Sequence, residues 1–283
     1  MKLLKAKWFR FLPDKIYIEL KYFAIFHNRI NLKNPKTFNE KINWLKLYDR
    51  KPIYINMVDK YLAKEYAAEL IGEEYIIPTI GVYDKFDEIN FNKLPNQFVI
   101  KTNHDCGGVV ICKDKEKFDI AAAKKVIEKH MKNDYYYDNR EWPYKNVKRK
   151  ILVEQYMVDE ISKDLKDYKF FCFDGNVKYM FIATDRNIHE TKFNFYDMNF
   201  KLLDIKQHYP NDNREISKPK NFEKMKELAS KLSKGIPHLR VDFYEINGKV
   251  YLGELTFSHF GGFVPFEPSE WDEEFGKQIK IPT

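Results

Sequence analysis

The sequence predicts an α+β protein built on antiparallel sheets, and three stretches carry that expectation. Leu239 to Ile246 and Lys249 to Phe257 are apolar, aromatic runs separated by Asn247 and Gly248, the pair that supplies the positive φ angles of a tight hairpin turn. The run FVIKTNHDCGGVVIC, from Phe98 to Cys112, reads as a strand, a glycine-containing loop and a second strand. A helix is expected after it, from about Ile120 to Lys132. Further strands follow, ILVEQYM from Ile151 and then DYKFFCFDGNVKYMFIATDR from Asp167 as one second strand. Strands, helix and strands in this order suit segregated α+β layers of antiparallel sheet.

Each element has a local reason. The region up to residue 94 reads mainly helical: Asn39 and Glu40 open an apolar pattern continued by Ile42, Leu45 and Tyr48, and Lys60 to Leu70 gives another. A short strand is expected over Ile76 to Ile80, and the Pro and Asn residues of Leu94 to Asn96 mark a break. Period-two reading of the strand from Asp167 points Asp167, Lys169 and Phe171 to one side and Tyr168, Phe170 and Cys172 to the other. The expected organisation is a leading region 1–94, a subdomain 95–155 holding the glycine loop, and a subdomain 156–283 holding the carboxyl-terminal hairpin.

Composition narrows the class. With 283 residues, 44 % hydrophobic and 16 % aromatic, and only 11 Gly and 12 Pro, the chain is too apolar for disorder and long enough for two or three subdomains. Lys and Arg number 49 against 42 Asp and Glu, a net +7 that favours anionic partners modestly. The basic residues are scattered and no helix-turn-helix or finger spacing occurs, so nucleic acid is not expected as a partner; the densest run, Lys145 to Lys150, reads as a solvated turn. Cys106, Cys112 and Cys172 form an odd set without a CxxC pair, which supports neither a disulfide framework nor zinc and points to a reducing compartment. No apolar run approaches 18 residues and no signal peptide is evident, so a cytoplasmic protein is expected. The first 30 residues alternate Lys and Arg with Leu, Trp, Phe and Ile. Such a segment either rests on a membrane surface or packs as a helix on its own core.

The candidate chemistry sits at the ends of these strands. Asp242 lies five residues before Asn247 and Glu254 six after Gly248, so the two carboxylates can meet on one face of the hairpin, with Arg240 beside them. Burying an unpaired carboxylate costs about 3–5 kcal/mol. Either a hard divalent cation with nucleotide phosphates offsets that cost, or Arg240 forms a structural ion pair with one of the acids. Gly107 and Gly108 would let the backbone approach an anion, with Lys101 facing it from the preceding strand; two glycines in a β-turn are also common for structural reasons alone. His104 and His259 lie in loops, where they would touch substrate or simply be solvated.

Taken in order, these pieces resemble the ATP-grasp superfamily, and among its members the TupA-like ATP-grasp family associated with bacterial surface polymers such as teichuronopeptide and capsule. The resemblance runs from about Thr37 to the end and is carried by FNEKINWLKLYD, FVIKTNHDCGG, REWPYKN, KDYKFFCFDG and RVDFYEINGKVYLGELTF. It implies an ATP-grasp fold, with ATP held between two α+β subdomains together with Mg²⁺. It implies that Lys60 and Lys101 contact the α- and β-phosphates, and that the loop of Asn103, His104, Asp105, Cys106, Gly107 and Gly108 folds over the β- and γ-phosphates. The hinge position falls on Glu154, Gln155, Tyr156 and Met157, facing adenine and ribose. Lys169, in the pattern Asp167, Tyr168, Lys169, and Arg186 match basic residues near the transferred phosphoryl group. Arg240 matches a charge-stabilising arginine, and Asp242 and Glu254 become metal ligands. Where the superfamily ends its pattern in Glu-x-Asn, this chain has Thr256, a weaker ligand.

The activity implied is that of an ATP-dependent carboxylate–amine ligase working through an acylphosphate. Its partners would be an amine or amino acid and a carboxylate-bearing glycan or peptide, at the inner face of the plasma membrane. A glycosyltransferase would call for a parallel βαβ series and a DxD-type acid pair, neither of which is present. A binding module that had lost catalysis would show erosion of the phosphate and metal residues, which, Thr256 apart, are in place.

Overall fold

The computed structural model describes residues 10–160, 165–184 and 191–282. The leading region is helical as expected: α1 spans Asp14–Phe26, α2 Phe38–Tyr48, α3 Ile53–Val58 and α4 Leu62–Ile71. Thr37 starts α2 with a capping box, its hydroxyl accepting from Glu40 N while the Glu40 carboxylate accepts from Thr37 N, which satisfies two donors the helix itself leaves open. The first strand, β1 (Thr79–Tyr83), begins three residues later than the sequence suggests. Pro78 has no N–H to give to a ladder, and Ile76 instead makes an isolated parallel bridge to Leu252.

The next elements are β2 (Phe98–Thr102), β3 (Val109–Cys112), α5 (Ile120–Met131), the short α6 (Tyr136–Asn139) and β4 (Ile151–Gln155). They form an antiparallel sheet of order β1-β4-β2-β3. Alternation divides its faces: Phe98, Ile100, Ile151 and Val153 pack under Ala123 and Ile127 of α5, which leaves Lys101 and Glu154 on the other side. The expected division at residue 94 cuts through this unit. β1 precedes that residue yet pairs with β4, and Phe86, Ile89 and Leu94 lie in the same core.

The stretch from Asp167 is two strands rather than the single one expected. β5 (Asp167–Phe173) and β6 (Asn176–Thr184) are antiparallel partners joined at Asp174 and Gly175, whose φ values of 50° and 78° make the same kind of turn as Asn247 and Gly248 at 50° and 73°. After them come β7 (Lys192–Asp197), β8 (Leu202–Leu203), α7 (Phe222–Ser233), β9 (Leu239–Ile246), β10 (Lys249–Thr256) and α8 (Glu270–Gln278). The second sheet has the order β10-β9-β5-β6-β7-β8.

Both faces of this second sheet are covered. On one, Tyr168, Phe170, Cys172, Val241 and Phe243 pack against α3, α4 and α7. On the other, Phe171, Phe173, Phe181 and Phe195 meet Phe38 and Ile42 of α2 and Phe275 of α8, as the period-two reading of β5 requires. Asn39 ties these two helices together, its backbone and side-chain N–H both donating to Asp272 Oδ1 at 2.9 and 3.0 Å. Among the described residues, no helix is long and apolar enough to cross a membrane.

Candidate functional site

The hairpin places its two acids directly opposite each other. From the turn, Lys249 pairs with Ile246 and so on to Leu252 with Phe243, after which a bulge at Gly253 shifts the register and sets Glu254 against Asp242. That extra residue absorbs the difference between five positions on β9 and six on β10. Lys169 of β5 is the partner of Asp242 on its other side, so Glu254, Asp242 and Lys169 stand in one row across three strands. Arg240 and Thr256 pair in the neighbouring row.

Arg240 organises this cluster. Its Nε and Nη2 donate to the two carboxylate oxygens of Asp242 at 2.7 and 2.8 Å, Nη2 also donates to Thr256 Oγ1 at 3.0 Å, and Nη1 donates to His259 Nδ1 at 2.8 Å. Glu254 Oε2 lies 3.9 Å from Nη2. The Lys169 ammonium pairs with Asp242 and stands 3.6 Å from Asp167. Burial alone would raise the pKa of Asp242, but Arg240 and then Lys169 outweigh it and hold the carboxyl below its ordinary range. The ion pair between Arg240 and Asp242 is therefore formed, and two of the three expected metal ligands, Asp242 and Thr256, are acceptors of the same guanidinium.

His259 is buried rather than solvated, at 1 % exposure, because both ring nitrogens are matched. Arginine can only donate, so Nδ1 accepts, and Nε2 carries the proton toward Gln207 Oε1 at 2.9 Å. Burial, followed by the charge of Arg240, keeps its pKa well below the usual value. His104 is likewise buried, with Nε2 3.2 Å from Asn133 O.

The glycine loop is pinned from below. Asn103 is completely buried; its amide donates to Asp59 Oδ2 and Lys148 O, both at 2.8 Å, and accepts from Lys150 N at 2.7 Å. Asp105 accepts from Thr102 Oγ1 and sits 2.5 Å from His130 Nδ1. These two hydrogen bonds, against the opposing effect of burial, lower its pKa. The Lys60 ammonium donates to Asp105 O. At Gly108 a Cβ would come within 2.2 Å of Thr102 Oγ1 and 2.8 Å of His130 Cβ, so only glycine fits there.

Lys101 and Glu154 meet on the face of the first sheet opposite α5. Lys101 Nζ is 2.6 Å from Glu154 Oε2, and Lys64, which sequence reasoning missed, pairs with the other carboxylate oxygen. Although burial opposes it, Lys101 and Lys64 together lower the pKa of Glu154. The acid in the apolar run ILVEQ is the sequence signal that a cation must meet it. Gln155 and Tyr156 border an open recess with Ile80, Pro95, Asn96 and Gln97, and Met157 lies beyond the end of β4. Arg186 lies outside the described residues.

A cavity of ≈ 490 Å³ joins the two halves. Asp105 and Cys106 of the glycine loop line it together with Lys169, Arg240, Glu254 and Thr256. The Lys101–Glu154 pair and the hinge residues do not border it. Its remaining wall includes Tyr135, Asn139, Glu141 and Tyr144, residues that no sequence periodicity singled out. Magnesium takes one or two carboxylates plus water and phosphate oxygens. Glu254, its side chain 38 % exposed, is a donor of that type, whereas both oxygens of Asp242 opposite it already accept from Arg240. Among the described residues there is no group of three or more His, Cys, Asp or Glu side chains placed to hold a metal.

Two antiparallel α+β units, one carrying the glycine loop and the other the Arg240 cluster, with a cavity between them, are arranged as in the ATP-grasp class of proteins. The family described as TupA-like ATPgrasp matches residues 40–280, and the chain belongs to that family. No curated protein matches the sequence. Among solved structures, the chain is similar to a D-alanine–D-alanine ligase from Helicobacter pylori, at 17 % identity and TM-score 0.47, over 86 % of this chain and 69 % of that one. It is also similar to a D-alanine–D-alanine ligase from Bacillus anthracis complexed with ATP, at 17 % identity and TM-score 0.43, over 71 % and 54 %. A third is the ATP-grasp ligase PsnB complexed with a phosphomimetic variant of a minimal precursor, Mg and ADP, at 11 % identity and TM-score 0.46, over 86 % and 67 %. The chain thus spans between about half and two-thirds of the length of these proteins.

Proposed function

We propose that this protein is an ATP-dependent carboxylate–amine ligase. A substrate carboxylate oxygen takes the γ-phosphoryl group of ATP, releasing ADP and leaving an acylphosphate. An amine nitrogen, as the free base, then attacks the acyl carbon, the bond to the phosphate oxygen breaks, and inorganic phosphate leaves with the proton the nitrogen gives up, so that an amide remains. The observation that carries this proposal is the cavity in which the glycine loop faces Lys169, Arg240 and Glu254.

The roles follow from charge and position. Lys169 and Arg240 provide fixed positive charge where the transferred phosphoryl group and the developing oxyanion would lie, an effect worth most in a site shielded from water. Lys60 and Lys101 are assigned to the α- and β-phosphates, the Asn103–Gly108 loop to the β- and γ-phosphates, and the segment from Glu154 to Met157 to the adenosine. Glu254 and Asp242 would hold Mg²⁺, which neutralises phosphate charge when bound. The substrates we assign are an amine or amino acid and a carboxylate-bearing surface glycan precursor or peptide.

We further assign α1 to the inner membrane face. Phe11, Ile16, Leu20 and Phe23 are exposed, the last three spaced by four and three so that they share one side of the helix. The first 26 residues contain six Lys or Arg against two Asp or Glu, a charge that suits an anionic bilayer.

The test is ADP release by the purified protein with ATP, Mg²⁺ and a panel of amino acids crossed with uronic acids and peptides. Release that needs both a carboxylate and an amine supports the ligase. Calorimetry showing no ATP binding sinks it.

A further inference from the structure

One wall of the cavity is built by a segment that the phosphate and metal roles leave unused. Glu141 is 5 % exposed and lines the cavity beside Tyr135 and Tyr144, whose rings pack edge to face at 4.8 Å and 69°. The other carboxylates bordering the cavity are Asp105, engaged by Thr102 and His130, and Glu254, opposite Asp242. Asn139 Nδ2 donates to Glu141 Oε1 at 3.3 Å, a long and therefore weak bond. The nearby buried ammonium of Lys46 donates to Asn139 O at 2.8 Å and Gly261 O at 2.6 Å and lies 4.2 Å from the centre of the Phe263 ring. Lys46 thus fastens the backbone on either side of the wall.

We propose that Glu141, flanked by the rings of Tyr135 and Tyr144, is the subsite that binds the ammonium group of the amine substrate. A buried carboxylate needs a cationic partner, and two aromatic rings beside it attract the same kind of ligand through their negative faces. Burial pushes the Glu141 pKa up to about 7 against the opposing charge of Lys46, with Glu254 adding to the rise and Lys21 countering it. An arriving ammonium would draw the carboxylate back into its charged form, adding a direct partner to the through-space charges of Lys46 and Lys21. This inference rests on the ligase proposal and extends it by naming where one substrate sits.

Calorimetric titration of L-amino acids and ethylamine into the protein, each compared with its N-acetylated counterpart, tests the subsite without turnover. Free amines are expected to bind wild type and acetylated ones not. Glu141→Gln should weaken amine binding about tenfold or more, the fold-change one charge-assisted hydrogen bond is worth, with ATP affinity unchanged. In turnover, the same variant should raise the KM for the amine. Hydroxylamine, largely uncharged at neutral pH, should still trap the acylphosphate as hydroxamate at close to the wild-type rate. Equal affinity for free and acetylated amines, amine binding unchanged in Glu141→Gln, or no binding by any member of the panel overturns the subsite. If free amines bind through Glu141 yet no substrate pair releases ADP, the subsite stands and the ligase proposal falls.

Discussion

Arg240 satisfies three neighbours at once: both oxygens of Asp242, the hydroxyl of Thr256 and Nδ1 of His259. A planar guanidinium can make that set of bonds, and an ammonium on a flexible stem cannot. Arg240→Lys is accordingly expected to fold but to lose about a hundredfold or more in kcat, the size of effect seen when a preorganised charge-stabilising donor is removed; steady-state ADP release within a few-fold of wild type would refute the role. Of the two acids, Glu254 is the cleaner probe. Asp242 lies buried between two cations, so Asp242→Asn would leave them without their counter-charge and destabilise the fold by about 3–5 kcal/mol. Glu254→Gln, at a half-exposed position, should keep its melting temperature and lose turnover. Wild-type turnover in Glu254→Gln would remove the metal assignment.

At the scale of elements, legibility follows periodicity. The hairpin of β9 and β10 could be read because alternation and an Asn-Gly turn are local signals, whereas the pairing of Lys169 with Asp242 depends on β5 lying beside β9, which no local signal gives. The Asp-Gly turn between β5 and β6 carries an equal signal between the apolar stretches on either side of it. The burial of His259 has no such signal because it belongs to an irregular turn, with Phe260 at φ 48° and Gly261 and Gly262 also at positive φ, where no period says which side faces inward. Lys64 and Glu141 acquire their surroundings only when α4 approaches β4 and when residues 135–144 close over the cavity. The amphipathic start of the chain was readable as a choice between membrane and core, and α1 divides it: Tyr17, Ile18 and Tyr22 are buried while Ile16, Leu20 and Phe23 are exposed. Replacing those last three by serine should leave the melting temperature nearly unchanged and abolish co-sedimentation with phosphatidylserine-containing vesicles. Undiminished sedimentation, or no binding by wild type, would show that this face does not meet a bilayer.

At the scale of the whole molecule, the second sheet is covered on both faces, and the seam where α2, β5 and the carboxyl-terminal hairpin converge buries His238 as well as His259. His238 is 1 % exposed, packs on Phe38, Phe171 and Phe173 with ring centres 5.0, 6.1 and 5.6 Å away, and donates from Nδ1 to Phe257 O at 2.8 Å. Burial lowers its pKa to about 3, whereas in the unfolded chain it titrates near 6.5. Between those values the unfolded state binds the proton and the folded state does not, so stability is full above about pH 6.5 and falls as the pH drops. His259, also lowered by burial, acts in the same direction. Glu141, whose folded pKa is raised to about 7, acts oppositely: its contribution is present below the unfolded value and lost as pH rises. The wild-type curve therefore sums opposing terms, and the informative quantity is the difference made by one of them. His238→Phe gives up the bond to Phe257 O and should be less stable at pH 7.5, yet its melting temperature should fall less than that of wild type between pH 7 and pH 5. Parallel melting curves for the two proteins across that interval would mean that His238 is not the buried neutral group that couples this seam to acid.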